Sequence, residues 1–236
     1  MEYTMISLKN RTALITGSSR GIGQQIAIGL AQHECDIILH GRTIDNLTTT
    51  EKLVADLGVK VYKVAGELDS DAGIQSIIDG VAAGPGHIDI LYNNAAIMST
   101  WMPIEQIPMA EWLRTMQVNL FATIALCSAF VPGMKERGFG RVINLTSGIK
   151  ETPTLAPYGV SKAAIDKYSQ ELAFDCRGTN VLVNYLDPGW LRTDLGGPNG
   201  MFGVETVLPG ALVPALLEDN GPTGRFFGAQ DFKYLA

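Results

Sequence analysis

The chain has 236 residues, room for one large domain, and 46% of them are hydrophobic, which supplies a sizeable core. Eighteen Lys+Arg against twenty-four Asp+Glu give a formal charge of -6, the wrong sign for a protein whose main partner is a nucleic-acid backbone. The cysteines, Cys35, Cys127 and Cys176, are widely spaced and outside any C-x-x-C pattern, so neither a metal site nor a disulfide framework is expected.

Read from the N-terminus, MEYTMISLKN lacks the basic-then-apolar layout of a secretory signal, and no apolar run reaches the ~18 to 20 residues that span a bilayer. The expectation is a soluble cytoplasmic chain with no membrane partner. Short apolar runs then alternate with amphipathic stretches: RTALIT, a helix over 21–33, CDIILH, a helix over 43–57, VKVYKV, and a helix over 70–83. HIDILYN, a long helical stretch from Met109 to Arg137, GRVINLT, a helix over 157–177 and NVLVNYLD follow, then a helix over 201–218 and a short GRFFG strand. Strands that are apolar at nearly every position suit a sheet covered on both faces, and their separation by helices makes the connections parallel crossovers. The pattern predicts an α/β, doubly wound Rossmann fold: a seven-stranded, mostly parallel sheet with helices on both faces. No linker, repeat or low-complexity tract divides it, so residues 1–236 are expected to form a single domain.

TGSSRGIG, residues 16–23, falls between the first strand and the first helix, where backbone N–H groups and the positive end of the helix dipole converge on an anion. Gly17 and Gly21 permit the tight turn and remove side chains that would keep a phosphate away, while Gly23 lets the helix lie close to the sheet. Ser19, Arg20 and Ile22 complete the expected dinucleotide cradle.

Charge distinguishes the two nicotinamide dinucleotides. An NAD-type site places an acid at the end of the second strand, about 20 residues on, to grip the ribose hydroxyls. Here that end reads LHGRT; Gly41 and Arg42 stand where the acid would be, and Asp36 lies at the wrong end of the strand. Two guanidiniums, Arg20 and Arg42, suit a 2'-phosphate through charge-assisted bonds, so NADP(H) is favoured over NAD(H).

Tyr158, Gly159, Val160, Ser161 and Lys162 form a Y-x-x-x-K at a helix start, with the phenol and the ammonium on one helical face. A fixed cation near a phenol lowers its pKa from about 10, which suits proton exchange near neutrality. Ser147, at the end of the fifth strand, can hydrogen-bond a carbonyl oxygen as it gains negative charge. Together these residues describe hydride transfer to or from a carbonyl carbon, with Thr146 as the alternative donor to its oxygen.

These motifs, T-G-x-x-x-G-x-G at 16–23, NNAA at 93–96 and Y-x-x-x-K at 158–162, resemble those of the compact short-chain dehydrogenase/reductase family, and the resemblance spans nearly the whole chain. It implies that Tyr158 is the acid/base, that Lys162 both tunes it and binds ribose, and that Asn119 helps hold a water in a proton relay. It also implies cofactor contacts at Asn93, Ala95, Glu67, Leu68, Pro188, Gly189 and Thr193. Three features depart from the family pattern: Ala96 for glycine, Glu67 for the commoner aspartate, and a Ser147-to-Tyr158 loop shorter than usual. The substrate pocket is expected to be mostly apolar, lined by Ile97, Met98, Trp101, Leu155, Trp190, Met201 and Phe202. Such a lining suits a small-molecule ketone or aldehyde and its alcohol. A 3-oxoacyl-thioester reductase, a catalytically idle dinucleotide sensor, and an isomerase or dehydratase of the same family stay open. The resemblance further implies a homodimer or homotetramer through the helices at 109–137 and 157–177.

Overall fold

The computed structural model describes residues 4–233. Seven strands, β1 (Thr12–Ile15), β2 (Asp36–Gly41), β3 (Val61–Ala65), β4 (Ile90–Asn93), β5 (Gly140–Leu145), β6 (Val181–Asp187) and β7 (Phe226–Gly228), form one sheet in the order β3-β2-β1-β4-β5-β6-β7. Every neighbouring pair is parallel. The helices are α1 (Gly21–Gln32), α2 (Thr48–Ala55), α3 (Asp71–Ala83), α4 (Met109–Met116), α5 (Ala122–Arg137), α6 (Ala156–Asp175) and the one-turn α7 (Val213–Leu216).

Because successive strand residues point to opposite faces, each strand feeds two cores. Ala13, Ile15, Ile37, Leu39, Ile90, Tyr92, Ile143 and Leu145 share one core with Ile26 and Leu30 of α1. Their neighbours Leu14, Ile38, Leu91 and Val142 share the other with Ile74 and Ile77 of α3 and Leu126 and Val131 of α5. Each large aliphatic side chain fully buried this way contributes about 1.5–3 kcal/mol. From β1 the chain moves outward to β2 and β3, and from β4 it moves the other way. The connections therefore diverge beyond the carboxyl ends of β1 and β4, leaving a crevice there.

Two expectations need correction. The stretch 201–218 is not a helix: it runs as separate 3-10 turns at Val204–Val207 and Gly210–Leu212 before α7. Pro209 and Pro214 lack the N–H a helix interior needs, and a side chain at Gly210 would overlap the carbonyl oxygen of Ala229. Its apolar residues are buried all the same, since Val207, Leu212 and Leu216 pack into the core around α1. Within 109–137, α4 and α5 are joined by a π-helical turn at Gln117–Phe121. That same stretch is long and apolar enough to cross a membrane by length and composition alone, although polar residues such as Gln117 and Asn119 break it and it holds no unbroken apolar run of that length. Its apolar residues Leu126, Cys127, Val131 and Met134 pack against the sheet, which accounts for that composition.

Candidate active site

At the crevice, β1 is followed by Thr16, whose hydroxyl accepts the N–H groups of Asn94 (2.9 Å) and Ala95 (3.0 Å) from the loop after β4. The side-chain amide of Asn94 donates back to the carbonyl of Thr16 at 2.7 Å. Two loops from neighbouring strands are thus fixed to each other. Gly17 and Gly21 have φ of 65° and 61°, the left-handed region that favours glycine. A Cβ on Gly23 would overlap the carbonyl oxygen of Gly17 and come within 2.6 Å of Asn94 Nδ2, so only glycine lets α1 begin this close to the sheet. No side chain caps the start of α1, and its first turn carries no acid. An uncapped twelve-residue helix preceded by a glycine turn is a cradle for phosphate, so the residues present fit a dinucleotide.

His40 supports this loop from below. Its Nδ1 accepts the Gly17 N–H at 3.1 Å, its backbone carbonyl accepts the Ser18 N–H at 3.0 Å, and its Nε2 lies 3.0 Å from the carbonyl oxygen of Gly66. Sequence reasoning missed it, although a polar residue at the end of a buried strand was a usable signal.

Of the two guanidiniums assigned to a 2'-phosphate, Arg42 is exposed just past β2, whereas Arg20 is paired with Asp194 at 2.6 Å. That pair links the glycine loop to the segment after Pro188 and Gly189, and it places Thr193 near Gly21. Glu67 is exposed, while Leu68 is buried with Ile74 and Ile77.

Asn93 is turned away from the crevice. Its Nδ2 donates to Asn144 Oδ1 at 2.8 Å, and Asn144 in turn donates to Ser169 Oγ at 2.9 Å, forming a buried polar chain beneath α6. The Asn93 side chain is thus committed to this buried chain, and Asn94 and Ala95 face the glycine loop. Asn119, in the π-helical turn, is similarly committed. Its Oδ1 accepts the Ile97 N–H (2.8 Å), and its Nδ2 donates to the Ile97 carbonyl (3.0 Å) and to Ser161 Oγ (3.0 Å). The side chain braces the loop after β4 against α6.

Tyr158 and Lys162 project from the first turns of α6 and are both buried. Ser147 stands near enough to the Tyr158 hydroxyl to lower its pKa, and Lys162 Nζ lies 5.7 Å from the centre of the Tyr158 ring and donates to the Leu145 carbonyl at 2.8 Å. The expected lowering of the phenol's pKa is not what this geometry gives. Burial pushes Tyr158 up to about 12, Asp187 adds to that, and nearby Ser147 offsets part of it. Burial likewise lowers Lys162 to about 8, against the pull of Asp166 and Asp187. Thr146 is occupied, its hydroxyl donating to the Lys162 carbonyl at 3.3 Å, which leaves Ser147 as the hydroxyl beside Tyr158.

Of the expected substrate residues, Trp101, Trp190 and Met201 are exposed, and Ile97 and Met98 are half-buried. Leu155 is only 2% exposed and Phe202 packs against the core around α1, so these two serve the interior. The loop bearing Trp101 is tied to the shortened loop by the Met102 N–H, which donates to the Thr154 carbonyl at 3.2 Å.

Comparison with known proteins agrees with this geometry. A sequence model of the short chain dehydrogenase family matches residues 11–200. Gluconate 5-dehydrogenase of Gluconobacter oxydans is 34% identical over 197 residues, 81% of this chain and 75% of its own. D-beta-hydroxybutyrate dehydrogenase of Cupriavidus necator is 31% identical over 190 residues, covering 80% and 73% of the two chains. A crystal structure of a gluconate 5-dehydrogenase from Burkholderia cenocepacia, in complex with NADP and tartrate, superposes with a TM-score of 0.84 at 27% identity, over 99% of this chain and 98% of that one.

Proposed function

The chain belongs to the short-chain dehydrogenase/reductase family, and we propose that it is an NADP(H)-dependent oxidoreductase that interconverts a small ketone or aldehyde and its alcohol. The observation that carries this reading is the grouping of Ser147, Tyr158 and Lys162, with Lys162 Nζ 5.7 Å from the Tyr158 ring centre, at the carboxyl edge of a sheet whose β1 ends beside an uncapped helix start.

Gly17, Ser19, Gly21 and Ile22, with Ala95, Pro188, Gly189 and Thr193 alongside, would hold a dinucleotide that would supply the hydride donor or acceptor. Ser147 donates a hydrogen bond to the substrate oxygen and so stabilises the charge that develops on it. Tyr158 is protonated at neutral pH, since burial raises its pKa to about 12, and in the direction of reduction it delivers its proton to that oxygen. Lys162, fixed by the Leu145 carbonyl, has two further N–H groups that would donate to the ribose of a bound dinucleotide. Asn119 keeps the Ile97 loop seated against α6. The exposed Trp101, Trp190 and Met201 form the rim that meets the substrate. Met109, Leu113, Phe121, Val160 and Phe174, exposed on α4, the π-helical turn and α6, give the face through which the chain self-associates.

The test is NADPH oxidation by the purified protein over a panel of ketones, aldehydes, 3-oxo acids, keto-sugar acids and acyl thioesters. The expected result is turnover with at least one class, lost in Y158F while NADPH affinity stays within about twofold. NADPH binding without turnover anywhere on the panel would replace the enzyme with a dinucleotide sensor.

A further inference from the structure

We propose that Asp187, the last residue of β6, is a positioning residue of the hydride-transfer site, its carboxylate locking the Ser147 loop to the Pro188–Gly189 loop and placing a negative charge beside Tyr158 and Lys162. The proposal rests on the oxidoreductase reading above. Asp187 Oδ2 accepts the Gly148 N–H at 3.0 Å, and Oδ1 accepts the Gly189 N–H at 2.9 Å. The two amides belong to loops that leave neighbouring strands, since Leu145 of β5 is registered with Leu186 of β6. One loop carries the hydroxyl that faces the substrate oxygen; the other leads to Thr193 on the dinucleotide side. A single side chain therefore sets the distance between the two halves of the site.

The local sequence is shaped around this bond pair. A Cβ on Gly148 would sit 2.7 Å from Asp187 Oδ2, so glycine at 148 lets the first loop meet the carboxylate in its present position. Gly189 has φ of 84°, and its other side is held by Gln230, whose Nε2 donates to the Pro188 carbonyl at 3.0 Å. Bonds from N–H to an ionised carboxylate are roughly twice as strong as neutral ones. Asparagine cannot replace both, because its amide turns an N–H toward one of the two donors.

The charge has a second effect. On α6 the Asp187 charge acts on Tyr158, Lys162 and Asp166; on the β7 side, Asp187 is registered with Gly228, which the Asp231 carboxylate approaches, and Gln230, beyond Gly189, is neutral. Asp187 opposes ionisation of the phenol and favours the ammonium. Both influences keep the site in its proton-donating form as pH rises.

The experiment compares wild type with D187N, and with D187S should D187N fail to melt cooperatively. It measures the pH profile of kcat and, independently of turnover, the hydrogen exchange of the Gly148 and Gly189 amides. The expected result is a fall in kcat of about 10- to 100-fold, an alkaline limb shifted to lower pH, and loss of protection at both amides. An unchanged limb with lowered kcat would reduce Asp187 to a structural tie, and wild-type kcat with intact protection would overturn the clamp. If wild type itself turns over nothing, the proposed function fails first. Failure of the variant pattern alone sinks only this inference.

Discussion

His40 Nδ1 lies 3.1 Å from the backbone nitrogen of Gly17 and accepts its N–H, so the first glycine of the dinucleotide loop rests on a buried imidazole. The other ring nitrogen must then carry the proton, and it donates to the Gly66 carbonyl at 3.0 Å. Protonating Nδ1 would set one N–H against another. Burial already lowers the pKa of His40 from its ordinary 6.5. Between that lowered value and 6.5 the unfolded chain binds more proton than the folded one, so the contribution of His40 to stability is full above about 6.5 and is lost as pH falls. Thermal melts from pH 8 to pH 5 should therefore decline more steeply for wild type than for H40L. Equal slopes would remove His40 from this role.

Lys162 holds a buried ammonium whose pKa is lowered from 10.5 to about 8. A lowered value means that the folded state binds the proton less tightly than the unfolded state does. At neutral pH the protein therefore bears a cost on the order of 3 kcal/mol, which disappears as pH rises through 10.5. Replacing this lysine by methionine removes the charge and the bond to the Leu145 carbonyl together. K162M is expected to be inactive yet more stable by about 1–2 kcal/mol at pH 7, with the gain shrinking toward pH 10. A loss of several kcal/mol in denaturant titration would show that the Leu145 bond outweighs desolvation.

Much of this was legible in the sequence, for a physical reason. The alternation of strands such as Ile37, Ile38 and Leu39 is dictated by a two-faced core, and the spacing of Tyr158 and Lys162 is set by one turn of helix. The stretch 201–218 misled because a buried irregular segment is as apolar as a helix face; its two prolines carried the contrary signal. Asp187 and His40 were missed because their partners come from other strands, 39 residues back at Gly148 and 23 back at Gly17. Strand parity already separated Asn93 from Tyr92, whose hydroxyl reaches Ala211 in the opposite layer, but parity does not say what waits on the far side.

For Asn93 the partners are Cys127 Sγ, Asn144 and, through Asn144, Ser169. N93A would leave Asn144 Oδ1 buried without its donor, costing about 1–3 kcal/mol of stability. Because the side chain points away from the crevice, the affinity for NADPH should stay within about twofold. Denaturant titration and nucleotide fluorescence titration measure the two effects separately. Weakened cofactor binding without loss of stability would restore the cofactor-lining role.

Cofactor preference turns on which guanidinium is available to a 2'-phosphate. Arg20 is engaged by Asp194 at 2.6 Å, and both side chains are solvent-exposed, so the pair is screened and exchangeable. Arg42 stands just past Gly41, where an NAD-type site would carry an acid. R42A is therefore expected to weaken NADPH binding about tenfold while leaving NADH unchanged, because only the phosphorylated ribose offers this guanidinium a charged partner. R20A should cost less, since Arg20 must first give up Asp194. D194A should act in the opposite direction and tighten NADPH by freeing Arg20. All three effects should shrink as salt rises from 50 to about 500 mM, as expected for charges at the surface. Equal loss of NADH and NADPH in R42A would place Arg42 on the shared pyrophosphate and leave the preference for the phosphorylated cofactor without a basis.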